Sequence, residues 1–202
     1  MAQADPTAAE AFDGPDDLAR EFGERVRMLR DRAGMTLDQL AVRSGVSRAM
    51  LSKVERGEKS PTIGVATRIS HALGTSLSYL TGGDGERAST VLVRLGERPI
   101  FRDPQTGFER HILSPPIAGA AVELLYHRLP PGASTGRLPA YPRGTEKQIV
   151  VTEGELTVAM RDAEHRVGTG DAFFFEANVD HAFDNRSEAP CGYYLVVARR
   201  SL

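Results

Sequence analysis

The sequence predicts an α+β multidomain chain, with a bundle of five short helices followed by a β-barrel built from short strands. Three observations predict it. Residues 16–81 hold five segments of helical apolar periodicity with capping residues at their starts. Residues 82–89 break the pattern, being rich in glycine and polar residues. Over residues 90–202, short β-branched and aromatic runs alternate with Gly, Pro, Asp and Asn.

Residues 1–15, MAQADPTAAEAFDGP, read as a flexible acidic tail. From Asp16 a helix begins, with Leu18, Phe22, Val26 and Leu29 on one face. Gly34 closes it, because glycine takes the left-handed conformation beyond a helix end without strain. Thr36 caps the second helix, and Gln39 completes a capping box. Gly45 makes a turn, Ser47 caps the third helix and Gly57 ends it. Pro61–Thr62 opens a fourth helix that closes at Gly74, and Ser76 caps a fifth that ends near Leu80. Strands are expected at Val91–Leu95, Val122–Leu129, Gln148–Thr152, Leu156–Met160, Ala172–Phe175 and Tyr193–Ala198.

The composition, 41% hydrophobic and 26% charged, is that of an ordinary soluble protein. No apolar run approaches the ~20 residues that span a bilayer. The N-terminus lacks the basic-then-apolar pattern of a secretion signal. A cytoplasmic protein with no membrane partner is expected. The single cysteine, Cys191, excludes an internal disulfide and a multi-cysteine zinc site. The net charge of -2 conceals an asymmetry. Residues 1–19 carry five acids and no base, whereas residues 20–80 carry eleven Lys and Arg against six Asp and Glu. The positive excess sits on the helical segment, as neutralisation of nucleic-acid phosphates requires.

The stretch Thr36–Gly57, TLDQLAVRSGVSRAMLSKVERG, reads as two helices joined by a tight turn. On the second, Met50, Leu51 and Val54 make a packing face, and Arg48, Ala49, Ser52 and Lys53 face away. Arg and Lys donate to guanine O6 and N7, Ser suits either role, and Ala touches a thymine methyl. Arg43, Arg56 and Lys59 flank this helix at positions suited to phosphates. Caps and periodicity alone leave a plain helical bundle with a charged outer face equally open.

Residues 20–80 resemble the XRE (Cro/C1 phage-repressor-like) helix-turn-helix family, through RMLRDRAGMTLDQLAVRSGVSRAMLSKVERGEKSPT followed by IGVATRISHALGTSLSYL. The resemblance implies that Arg48, Ala49, Ser52 and Lys53 read bases. It also implies a partly buried ion pair between Arg30 and Glu55. Leu37 stands where the family often has a glutamine that grips a phosphate, so that contact is lost or falls to backbone N–H groups.

Residues 130–158 and 168–185, including VTEGELTV and GDAFFFEANVDHAFDN, resemble the cupin family of double-stranded β-barrels. Metal-binding cupins carry His-x-His, then a glutamate, then a later histidine, a set suited to a divalent transition metal. Alignment on Gly154 and Gly170 puts Ala140 and Pro142 at the histidine pair and Lys147 at the glutamate, leaving His181 alone. A one-residue slip brings in Glu146 and gives two ligands, fewer than the three of a typical catalytic metal. No metal or other cofactor is expected. If Lys147 points inward as the motif glutamate does, it favours an anion, such as a carboxylate effector, with Tyr141, Arg143 and His181 beside it. A structural barrel in which Lys147 pairs with Glu123 or Glu176 fits equally well. The other histidines, His71, His111, His127 and His165, show no ligand spacing.

Taken together, the two resemblances imply a transcriptional repressor and not an enzyme. It holds a double-stranded DNA operator as a homodimer and senses a small-molecule effector in its cupin domain. The alternative is an iron-dependent oxygenase of hydroxyphosphonates with the same two-domain layout. Its two histidines and carboxylate are absent from the expected positions here.

Overall fold

The structure is a computed structural model that describes residues 15–82, 90–117 and 120–200. The acidic tail expected over residues 1–15, apart from Pro15, and the linker expected over residues 82–89, apart from Gly82, lie outside the described residues.

The helices are α1 (Pro15–Arg32), α2 (Leu37–Ser44), α3 (Arg48–Glu55), α4 (Ile63–Ala72) and α5 (Leu77–Gly82). In α2, α3, α4 and α5 a local side chain accepts from one of the first N–H groups, which have no partner within a helix. Gln39 N donates to Thr36 Oγ1 at 3.2 Å, and Thr36 N donates back to Gln39 Oε1 at 2.8 Å. Ser47, Thr62 and Ser76 accept in the same way from Met50, Val65 and Tyr79. Gly45, with φ at 65°, turns α2 into α3. Phe22, Val26, Leu40, Leu51, Val54 and Ile69 are buried in the helical core. Gly23 lets α1 meet α3 closely, since a Cβ there would lie 2.1 Å from the Val54 carbonyl oxygen.

Nine strands follow among the described residues: β1 (Ile100–Arg102), β2 (Glu109–Ile112), β3 (Val122–Leu129), β4 (Thr145–Glu153), β5 (Glu155–Met160), β6 (Ala163–Gly168), β7 (Ala172–Glu176), β8 (His181–Asp184) and β9 (Cys191–Arg199). They form a six-stranded sheet, ordered β1-β2-β3-β9-β4-β7, and a three-stranded sheet, ordered β6-β5-β8. The paired strands are antiparallel. Alternation sorts their side chains. Leu125 and Leu129 of β3, Ile149 and Val151 of β4, and Tyr193, Leu195 and Val197 of β9 are buried, while Leu124, Val150 and Tyr194 are exposed. Ring contacts from Phe183 on β8 to Phe175 on β7 and Tyr193 on β9 join the two sheets.

One expected strand is absent. Val91–Leu95 runs as irregular chain into a single 3-10 turn at Leu95–Glu97, with Val91, Leu92 and Leu95 exposed. An apolar run becomes a strand only where a neighbouring strand takes up its N–H and C=O groups, and no strand among the described residues does so here. The four strands not expected from the sequence, β1, β2, β6 and β8, are short or polar and owe their form to such neighbours.

The two domains touch through named contacts. Asp103 Oδ2, after β1, accepts from Ile63 N in the first turn of α4 at 2.8 Å. The ring of His71 on α4 meets Tyr141 edge-on, with centroids 4.4 Å apart. Ser78 of α5 donates to Glu123 Oε2 on β3 at 2.5 Å.

Candidate functional site

The exposed side of α3 is one candidate. Leu51 and Val54 are buried and Met50 is half-buried, which fixes the helix by one face. Arg48, Ala49 and Lys53 are exposed on the other, with Ser52 half-buried beside them. Arg43, Arg56 and Lys59 are exposed around it. Arg48 Nε stands 3.2 Å from Asp38 Oδ1. Arg56 Nε stands 2.6 Å from Glu58 Oε1 and the same guanidinium donates to the Ser52 hydroxyl. Exposed pairs of this kind are screened by water, so an arriving phosphate displaces them at little cost. Leu37 is half-buried and packs against the helical core.

Behind α3, Arg30 donates through Nε and Nη2 to the two oxygens of Glu55 at 2.7 and 2.9 Å, and through Nη1 to the Met35 carbonyl at 2.9 Å. The planar guanidinium matches the carboxylate at both ends, which ties α3 to α1 in one orientation.

In the sheet domain, Lys147 lies on the inward side of β4, only 2% exposed. Its Nζ is 2.8 Å from His181 Nε2 and 4.4 Å from the centre of the Tyr141 ring. The Val179 carbonyl lies 2.9 Å from His181 Nδ1 and accepts its proton, which leaves Nε2 as the acceptor for Lys147. Burial holds the Lys147 ammonium well below its ordinary pKa, and the Arg110 charge adds to this. Burial also pulls the His181 imidazole down to about 3, with Lys147 next in effect. Arg143 is exposed and does not border the cavity described next. Glu176 is exposed, and Glu146 pairs with Arg200 at 2.6 Å. Among the described residues, no three His, Cys, Asp or Glu side chains are grouped to hold a metal ion.

A cavity of about 520 Å³ opens where α4 and α5 meet the sheet domain. Ala140, Tyr141 and Pro142 border it, and so do His71, Arg110, Glu123 and Arg199. Glu123 is 3% exposed. It is held by Arg199 Nη2 at 2.5 Å and Arg110 Nη2 at 3.3 Å, while Arg110 Nη2 also donates to Ser78 Oγ at 3.0 Å. Burial pushes the Glu123 carboxyl upward, but the two guanidiniums and the Ser78 hydroxyl more than offset it and keep the group ionised. Burial brings the His71 imidazole down to about 4, with Lys147 and Arg199 acting the same way.

Sequence reasoning did not single out Arg110, Arg199, Ser78 or the cavity-facing role of His71. A signal was present in the strands. Arg110 alternates with Ile112, Glu123 with Leu125, and Arg199 with Val197, so each charge occupies an inward position of its strand.

A capped helix-turn-helix set on a two-sheet domain defines a DNA-binding regulator with a cupin domain. Residues 26–80 match the helix-turn-helix family model, and residues 125–197 match the cupin-domain model. The chain is 25% identical over 187 residues to the HTH-type transcriptional regulator SutR of Escherichia coli, a match covering 90% of this chain and 97% of that one. It is 36% identical over 96 residues to the HTH-type transcriptional regulator MT0491 of Mycobacterium tuberculosis, covering 46% of this chain and 69% of that one. A crystal structure of an HTH_3 family transcriptional regulator from Vibrio cholerae is similar at a TM-score of 0.76 and 26% identity, covering 92% of this chain and 99% of that one. The chain belongs to the XRE-type helix-turn-helix transcriptional regulators with a C-terminal cupin domain.

Proposed function

We propose that the protein is a homodimeric repressor that reads a pseudo-palindromic operator through α3 and responds to a small organic anion. Residues 16–81 act as the DNA-binding unit, and residues 90–202 act as a barrel-like sensor and dimerisation unit. The observation that carries the DNA-reading half is the division of α3. Its buried Leu51 and Val54 leave Arg48, Ala49, Ser52 and Lys53 for base edges, with Arg43, Arg56 and Lys59 for phosphates.

A two-fold operator calls for two copies with reading heads about 34 Å apart. The outer face of the six-stranded sheet supports a second copy. Val122, Leu124, Val150, Phe174 and Tyr194 are exposed there on four adjacent strands. Contiguous apolar surface of this kind marks association sites.

The anion reading is supported by Lys147, inward-facing at the position of the family's metal-binding glutamate. Its hydrogen bond goes to His181, while Glu123 is engaged by Arg110 and Arg199.

Selection of genomic fragments followed by footprinting tests the DNA-reading half. The expected result is an enriched palindrome protected in two half-sites and lost in the Arg48→Ala, Lys53→Ala double variant. Failure to enrich any sequence refutes it. Calorimetry with a panel of carboxylates tests the anion half, comparing wild type with Lys147→Met. Weaker binding by the variant is expected, and equal binding removes Lys147 from the site.

A further inference from the structure

The cavity of about 520 Å³ between the DNA-binding and cupin domains falls within the ~300–1,000 Å³ typical of small-molecule sites. Its walls combine charge with apolar surface: Arg110 and Arg199 border it, as do Leu77, Pro142 and Val197. Two guanidiniums share one carboxylate, Glu123, so the walls retain an unbalanced positive charge.

Polar atoms without partners point the same way. Arg110 is only 6% exposed, and its Nε is buried with no hydrogen-bond partner. On α4, Nε2 of His71 is also buried without one. A buried polar group without a partner is destabilising, and an incoming oxygen relieves that cost. The depressed imidazoles of His71, at about 4, and His181, at about 3, follow from burial first and neighbouring cations second.

Building on the effector reading above, we infer that this interdomain cavity binds a small monocarboxylate with an apolar body. The carboxylate engages Arg110 and Arg199 from the sheet domain and His71 from α4, and the apolar part lies against Leu77, Pro142 and Val197. Lys147 stands beneath Tyr141, its Nζ 4.4 Å from the ring centre, and does not border the cavity. Because α4 and α5 supply one wall, the ligand draws on the same guanidiniums that hold Glu123 against Ser78 of the DNA-binding domain.

The test is calorimetry on the full chain with straight-chain and aromatic monocarboxylates of three to ten carbons, each beside its neutral amide. At least one acid binds and its amide does not. Arg110→Gln and His71→Phe each weaken that acid by about tenfold or more. Ala140→Trp, which fills the cavity from an exposed position, abolishes binding. If Arg110→Gln does not fold, His71→Phe and Ala140→Trp decide the matter, with circular dichroism confirming their folding. An acid that these variants bind as tightly as wild type, but that Lys147→Met no longer binds, overturns the interdomain placement and leaves the effector reading standing. Failure of every acid in the panel to bind overturns both.

Discussion

Arg30→Ala is expected to unfold the helical domain rather than merely weaken DNA contacts. Arg30 is 12% exposed in its side chain and Glu55 is 7% exposed, so the pair is largely withdrawn from water. The substitution removes both hydrogen bonds to Glu55, at 2.7 and 2.9 Å, together with the bond to the Met35 carbonyl at 2.9 Å. The neighbouring contact to Asp31 is exposed at the carboxylate, 56%, and contributes little. The dominant effect is the Glu55 carboxylate left buried with no cation, a cost of about 3–5 kcal/mol. In a domain of this size each kcal/mol lowers the melting temperature by about 4–8 °C, so a drop beyond about 12 °C is expected. Circular dichroism at a helical wavelength reads it directly. The double variant Arg30→Met, Glu55→Met removes both charges and loses chiefly the Met35 bond, about 1 kcal/mol. A melting temperature that Arg30→Ala leaves unchanged, or a double variant as damaged as the single one, refutes the reasoning.

Three further outcomes follow from the same geometry. Arg48→Ala should cost about 1–3 kcal/mol and relax specificity at one base position, whereas Lys59→Ala should weaken all sequences alike and reduce the salt slope by about 1. Anisotropy titrations across a salt series separate the two, and identical behaviour would contradict their assigned roles. Stability should fall as pH drops from about 6.5 towards 4. Over that range the unfolded chain binds a proton at His71 that the folded chain, with this imidazole at about 4, does not. The loss is on the order of 3 kcal/mol for His71, with His181 acting in the same direction. Urea midpoints that are flat across this window, or a His71→Phe variant with the full wild-type slope, count against it. Phe174→Lys places a charge in the exposed apolar sheet face, 53% exposed at that residue, and should convert a dimer to a monomer in light scattering without lowering the melting temperature of the fold. A dimer that persists rules out this face.

Much of the helical domain was legible in the sequence because its determinants are local. A cap acts within three residues, as Thr36 does with Gln39, and a helical face repeats within four, as Phe22 and Val26 do. The strands were less legible. Val91–Leu95 has strand composition but no partner strand among the described residues, while β6, AEHRVG, lacks the composition yet pairs with β5 along its whole length. Pairing partners distant in sequence decide which runs become strands.

The sequence by itself determined the class of protein and the divided face of α3, and its resemblance to cupins drew attention to Lys147. The tertiary structure alone decided what surrounds that lysine and where the cavity lies. Arg110, Glu123 and Arg199 come together because β3 pairs with β2 on one side and β9 on the other, and His71 and Ser78 join them because α4 and α5 dock there. Each of these residues lies in a different segment of the sequence. Only folding removes them from water together, and that shared burial makes an unpartnered Arg110 Nε a chemical signal rather than a solvated surface group.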